Sequence, residues 1–227
     1  MKRITMILAA AAIGLTATAQ HAPGFSPWRV GLSYDLSIPG HLKNNNGESF
    51  GLYRNGSGVS VEGAYYISLP RSFFFEPAAS LYYDTYKYDG MTVNGEGGEP
   101  LTIDPAIKKF GLAVPLMVGY RLPLREDRGL RFFTGPELRL GFTARLGLTP
   151  RDRWGDAVPD LDGLETDLYS KNGSMKRFDC AWDFGVAFDK DHYYAAIKAV
   201  IGMLNVNKTR YMSLHEYGVH VTLGYIF

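Results

Sequence analysis

The sequence predicts an all-β protein: an eight-stranded antiparallel up-and-down transmembrane β-barrel with long outer loops and short periplasmic turns, preceded by a cleaved signal peptide. Three observations predict it. Apolar and polar residues alternate with a period of two through most of the chain, the connections alternate between long and short, and the last strand stops on an aromatic residue in mid-alternation. The final stretch, GVHVTLGYIF, sets Val219, Val221, Leu223, Tyr225 and Phe227 against Gly218, His220, Thr222, Gly224 and Ile226 on the two faces of a strand. Chain ends normally fray and are polar, so an apolar end calls for an apolar solvent.

The start of the chain agrees. Lys2 and Arg3 precede an apolar run from Ile4 to Leu15 and an Ala17-Thr18-Ala19 site, the pattern of a secretory signal over residues 1–19. The run is shorter than the roughly 20 residues of a spanning helix. No Cys follows the site, which argues against a lipid anchor, and residues 20–227 form the expected barrel domain. Formal net charge is +1, which offers nothing to a polyanion such as nucleic acid. The single cysteine, Cys180, forms no internal disulfide and reads as a small filler on a strand face. Past the signal, the longest apolar run, FGLAVPLMVGY, is about half a spanning helix. Entry into a membrane must therefore be by strands.

The eight strands follow in order. WRVGLSYDLSI sets Val30, Leu32, Tyr34, Leu36 and Ile38 against Arg29, Ser33 and Asp35, and GVSVEGAYYISL sets Val59, Val61 and Tyr65 against Ser60 and Glu62. FFFEPAASLYYDTYKY carries Glu76, Ser80 and Asp84 on its polar side. KKFGLAVPLMVGYRL sets Phe110, Leu112, Val114, Leu116, Val118 and Tyr120 against Gly111, Ala113 and Arg121. LRFFTGPELRLGFTARLGL sets Phe132, Leu138, Leu140, Phe142 and Leu146 against Arg131, Glu137, Arg139 and Arg145. FDCAWDFGVAF sets Phe178, Trp182, Phe184 and Phe188 against Asp179 and Asp183. HYYAAIKAVIGML, with Lys198, and the terminal strand complete the series. Pro77, Pro115 and Pro136 fall inside strands, where each removes a ladder hydrogen bond, and local bulges are expected there.

The connections at 39–57, 89–105 and 149–177 are long, and those around Pro70-Arg71-Ser72, at 123–129 and at DKDH are short. A soluble sandwich gives no reason for that alternation, whereas a membrane barrel does. Aromatic residues crowd the strand ends, where amphipathic rings suit the headgroup level. Phe227 is expected to close the last strand against the first, leaving no edge in lipid.

Several stretches resemble a known family. LAVPLMVGYRL is similar to the aliphatic-Pro-Leu strand of the PorT-like outer-membrane β-barrel proteins of Bacteroidota. FFTGPELRLGF resembles that family's Gly-Pro strand, and FDCAWDFGVAF with YYAAIKAVIGMLNV resembles its closing strands. The resemblance implies an outer-membrane location, a C-terminal insertion signal at Tyr225 and Phe227 read by the barrel-insertion machinery, and an association with protein secretion.

Chemistry is sparse. An eight-stranded barrel has room inside only for side chains. Asp35, Glu62, Glu76, Asp84, Arg121, Arg131, Glu137, Arg139, Arg145, Asp179, Asp183 and Lys198 are expected to point inward and plug it with ion pairs. No catalytic constellation is evident. His41, His192, His215 and His220 lack a spaced nucleophile and acid, and His215 within reach of a carboxylate and a hydroxyl would change that. No zinc spacing, phosphate loop or cofactor motif occurs. The acids of the 149–177 connection (Asp152, Asp156, Asp160, Asp162, Glu165, Asp167) depart from the calcium-loop pattern and read as a solvated loop facing basic neighbours. Trp154 and Tyr169 in that loop are the candidates for contact with a protein or glycan. The reading is a non-enzymatic envelope component, with a narrow porin-like channel and a soluble ligand-binding β-barrel as alternatives.

Overall fold

The computed structural model describes residues 27–44, 46–50, 53–88, 91–94, 100–125, 127–151, 164–209 and 211–227. The expected signal at 1–19 lies outside them. Eight strands form the wall: β1 (Trp28–Pro39), β2 (Tyr53–Tyr65), β3 (Phe73–Tyr88), β4 (Pro100–Arg125), β5 (Arg128–Arg151), β6 (Phe178–Lys190), β7 (Tyr193–Gly202) and β8 (Glu216–Ile226). Each pairs antiparallel with its neighbours in sequence, and β8 returns to β1 with Arg29 opposite Ile226 and Pro39 opposite Glu216. The result is a closed eight-stranded barrel with no free edge in its wall.

The alternation expected from the sequence decides which side of the wall each residue takes. Val30, Leu32, Tyr34, Val59, Val61, Leu81, Val118, Phe132, Phe184, Ile197, Val221 and Leu223 stand exposed on the outside, while Arg29, Ser33, Asp35, Ser60, Asp84, Arg131, Glu137 and Asp183 are buried inside. A soluble barrel has the opposite polarity. An apolar exterior and a charged interior suit hydrocarbon outside and only side chains within.

Both described ends of the chain and the three short turns share one rim. Trp28, exposed at 58%, packs edge-on against Tyr65. Phe73 meets Tyr120, and Tyr225 meets both Tyr193 and Phe227, with ring centroids 5.3–5.6 Å apart. The Phe227 amide donates to the Trp28 carbonyl and the Ile226 amide to that of His192, so the last residues are tied to both neighbouring elements. A second aromatic level includes Phe110 and Phe142, with centroids 5.6 Å apart. Ten residues of β4 separate Phe110 from Tyr120. At about 3.3 Å per residue and a tilt near 40°, the two levels stand roughly 25 Å apart, the height of a hydrocarbon core.

The prolines behave differently from expectation. Pro77 lies opposite Leu116, Pro115 opposite Glu137, and Pro136 opposite Trp182, with no change of register at any of them. A missing N–H deletes a bond without adding a residue, so the pairing resumes in phase. The three prolines sit on adjacent strands, which concentrates the lost bonds in one patch. The register shifts lie elsewhere: between Arg54 and Ser57 on β2, between Pro123 and Arg125 beside the β4–β5 turn, and between Phe110 and Gly111 on β4, where Phe142 is the extra residue of β5.

Beyond the wall, on the rim opposite the short turns, the strands run on as hairpins. Met91–Asn94 pairs with the start of β4, and Leu164–Asp167 pairs with β5. A small three-stranded sheet joins Leu42–Asn44 to Ser49–Phe50 and Met212–Ser213.

Candidate functional site

The interior is stacked in layers. Nearest the short turns, Arg29 Nη1 lies 2.7 Å from Glu76 Oε2 and Arg131 Nη1 2.9 Å from the same oxygen. Arg131 Nε also pairs with Asp189 Oδ2 at 2.9 Å. Two guanidiniums and two carboxylates thus close a square, walled by the rings of Tyr66, Phe74 and Tyr194, each within 6 Å of a guanidinium carbon. Gly31 and Gly224 face inward here, where the Tyr194 ring occupies the space a Cβ would need.

In the next layer Glu137 takes Arg139 and Lys198, the latter at 2.7 Å, and Lys198 also pairs with Asp183 at 3.0 Å. Beside them His220 Nδ1 lies 3.1 Å from Asp35 Oδ1, and the Ser33 and Thr222 hydroxyls share a 2.7 Å hydrogen bond. Above, Lys109 Nζ donates to Glu216 Oε1 at 2.7 Å, and Asp179 accepts the Cys180 amide at 2.7 Å. Burying one isolated charge is costly, and pairing it with good geometry offsets most of that cost. The bore therefore holds its charges by mixing signs at every level.

Free space within the bore includes a cavity of about 40 Å³, lined by Ser33, Ser60, Glu62, Ser80, Asp84, Ala113 and His220 among others. That is room for roughly three waters. At the outer mouth the charged layers end under an apolar cap of Tyr86, Ile107, Ala144, Leu168, Tyr169, Met175, Val206 and Leu214. The cap joins residues of the connections (Leu168, Tyr169, Met175, Val206, Leu214) to the outer ends of wall strands (Tyr86, Ile107, Ala144). The Leu168 amide donates to the Ala144 carbonyl at 2.7 Å, Met175 to Leu168 at 3.0 Å, and Val206 to Leu214 at 2.9 Å.

Most of the expected inward residues stand inside: Asp35, Glu76, Asp84, Arg131, Glu137, Arg139, Asp179, Asp183 and Lys198 in the layers, Glu62 on the cavity, and Arg121 against Gly129 near the short-turn mouth. Arg145 does not. Its side chain is 60% exposed and pairs with Glu165 at 3.0 Å, because the bulge at Phe142 turns every later residue of β5 to the opposite face. The same flip brings Ala144 inward and Leu146 against the cap.

Tyr169 departs from expectation as well. It is 6% exposed, buried in the cap against Gly141, and offers no surface to a partner. A ring that can reach an apolar mouth gains more there than in water. Tyr225 and Phe227 stand on the outer wall at the short-turn rim. Trp154 and the acids Asp152, Asp156, Asp160 and Asp162 lie outside the described residues, whereas Glu165 pairs with Arg145 and Asp167 accepts the Tyr169 amide at 2.9 Å. Among the described residues no group of acidic, His or Cys side chains has the arrangement of a metal site.

Arg29, Lys109, Asp189 and Glu216 belong to the layers and were not among the expected inward charges, although Arg29 was read on the polar face of the first strand. The signal was present, since each precedes or follows an outward residue (Val30, Phe110, Phe188, Tyr217) by one place.

No protein-family model matches the chain, and no curated protein is significantly similar to it. Solved structures are similar to it at low identity. Ail, the attachment invasion locus protein of Yersinia pestis, crystallised with the heparin analogue sucrose octasulfate, is 10% identical, with a TM-score of 0.39 over 88% of this chain and 97% of that one. Neisserial surface protein A is 11% identical, with a TM-score of 0.39 over 90% and 99%. OprG, an outer membrane protein from Pseudomonas aeruginosa, is 13% identical, with a TM-score of 0.45 over 89% and 97%.

Proposed function

We propose that this chain is a non-enzymatic outer-membrane β-barrel that serves the envelope as a structural or interaction component, presenting its long loops to another envelope protein or a glycan. The inverted polarity carries the reading: an apolar wall about one hydrocarbon core tall surrounds a bore filled with ion pairs and capped by apolar side chains. Such a wall needs lipid, and such a bore leaves the loops as the surface open to partners. Tyr225 and Phe227, on the outer wall, suit recognition by the insertion machinery while the last strand is still unpaired. Within that role, the resemblance to PorT-like barrels points to an accessory part in protein secretion.

A narrow porin-like channel is the second reading, favoured by the polar cavity in mid-bore. A soluble ligand-binding barrel is disfavoured by the exposed apolar wall. The test is cross-linking in the membrane from a tag in the 89–105 connection, followed by identification of what co-purifies. A stoichiometric partner supports the interaction role. Its absence, together with single-channel conductance in planar bilayers, overturns that role in favour of the channel.

A further inference from the structure

A groove of about 510 Å³ opens at the outer rim where two connections meet, lined by Lys176, Arg177, Phe178, Leu204, Asn205 and Lys208. It is an open surface depression rather than an enclosed pocket. Three of its six residues are cations, and each is held in place by a backbone carbonyl. Lys176 Nζ donates to Asn205 O at 2.8 Å, Lys208 Nζ to Ser170 O at 2.6 Å, and Arg177 Nη1 to Phe142 O at 3.4 Å. A carbonyl occupies one donor and neutralises no charge. An ammonium has three donors and a guanidinium five, so each keeps donors to spare. Among the described residues none of the three has a carboxylate within ion-pair distance, in contrast to Arg145, whose Glu165 lies 3.0 Å away on the same rim.

The floor of the groove has the opposite character. Phe178 and Leu204 are exposed apolar side chains, and Phe178 heads the outward row of β6 that continues through Trp182 and Phe184 down the lipid-facing wall. The groove therefore runs on into the apolar belt at Phe178, and among the described residues its three cations have no carboxylate partner. A ligand that satisfies both features carries a compact, multiply charged anion joined to a hydrocarbon chain. Phosphate offers several oxygens to several donors at once, which a cluster of Lys and Arg favours.

We propose that the groove binds a phosphorylated lipid of the outer leaflet, its phosphate on Lys176, Arg177 and Lys208 and an acyl chain along Phe178 and Leu204. This rests on the membrane reading above. A free sugar or a soluble anion would leave the apolar floor uncovered.

The test uses the full-length barrel refolded in micelles, with native mass spectrometry reading lipid retention. Short-chain phosphatidic acid is the probe, with the matched diacylglycerol and inorganic phosphate as controls. Phosphatidic acid should bind one per barrel, and the two controls should not. In K176Q/K208Q, glutamine keeps a donor for each carbonyl and removes both charges. Affinity should fall roughly thirty-fold, at about five-fold per cation near an anionic group. Lys190→Gln, on the opposite rim, should leave it unchanged. Equal retention of diacylglycerol, equal binding of inorganic phosphate, or an equal loss in Lys190→Gln overturns the proposal. The unboiled gel band separates the two failures. A protein recovered without detergent, showing no fast-migrating unboiled band, sinks the membrane reading. A membrane-inserted barrel that does not retain phosphatidic acid sinks only the groove.

Discussion

Arg131→Met tests the layered interior most sharply. In the layer nearest the short turns, Arg29 and Arg131 balance Glu76 and Asp189, and Arg131 makes the two closest bonds to that pair after Arg29–Glu76. Removing its guanidinium leaves two carboxylates facing one cation. Arg29 keeps its 2.7 Å contact with Glu76 but stands 4.0 Å from Asp189, so Asp189 becomes the uncompensated charge. Breaking a buried pair in this way costs about 3–5 kcal/mol. Methionine fills much of the volume, so the loss is electrostatic more than steric. The assay is urea unfolding in lipid vesicles, followed by the fraction of fast-migrating band on an unboiled gel. With a urea slope near 2–3 kcal/mol per molar, the midpoint should fall by about 1.5 M. The double variant R131M/D189N restores one cation to one anion and should recover at least half of that loss. A single variant as stable as the parent, or a double variant less stable than the single, would refute the reasoning.

Three further outcomes follow from local geometry. The β2–β3 turn places Arg71 at φ 59° and Ser72 at φ 65°, with the Phe73 amide donating to Pro70 O, a turn that favours Asn-Gly; R71N/S72G should raise the urea midpoint by the equivalent of about 2 kcal/mol. Gly135→Ala should lower it, because a Cβ there collides with the Leu116 carbonyl on the neighbouring strand, and a fall of less than the equivalent of about 1 kcal/mol would show that the proline patch yields more readily than a ladder should. Arg145→Gln should change it by no more than about 0.5 kcal/mol, since its pair with Glu165 is exposed at 60% and 43%.

The strands were legible because a wall one residue thick enforces a period of two, and an apolar exterior around a charged interior keeps nearly all the charges on one face. That clarity extended to Asp35, Glu76, Arg131 and Lys198 but failed at Arg145. One extra residue at Phe142 inverts the faces of everything after it, and no local propensity marks that insertion. Proline looked like the more obvious place for a bulge, yet Pro77, Pro115 and Pro136 lose bonds without shifting register. Tyr169 was misjudged for another reason. Its burial depends on how two connections fold back into the mouth together, and a loop carries no periodic signal of that. The outer groove shares this origin, since Lys176 and Lys208 become neighbours only when the connections meet.

Alternating exposure to lipid along β4 tests the central claim most directly. Single tryptophans are placed in turn at Leu112, Ala113, Val114, Leu116, Met117 and Val118, in a background with the native tryptophans replaced, and quenching by brominated lipid is measured. Strong quenching at 112, 114, 116 and 118 with weak quenching at 113 and 117 is the predicted result. Uniform quenching, or quenching by a water-soluble agent at the even positions, would contradict a barrel whose outward face meets hydrocarbon.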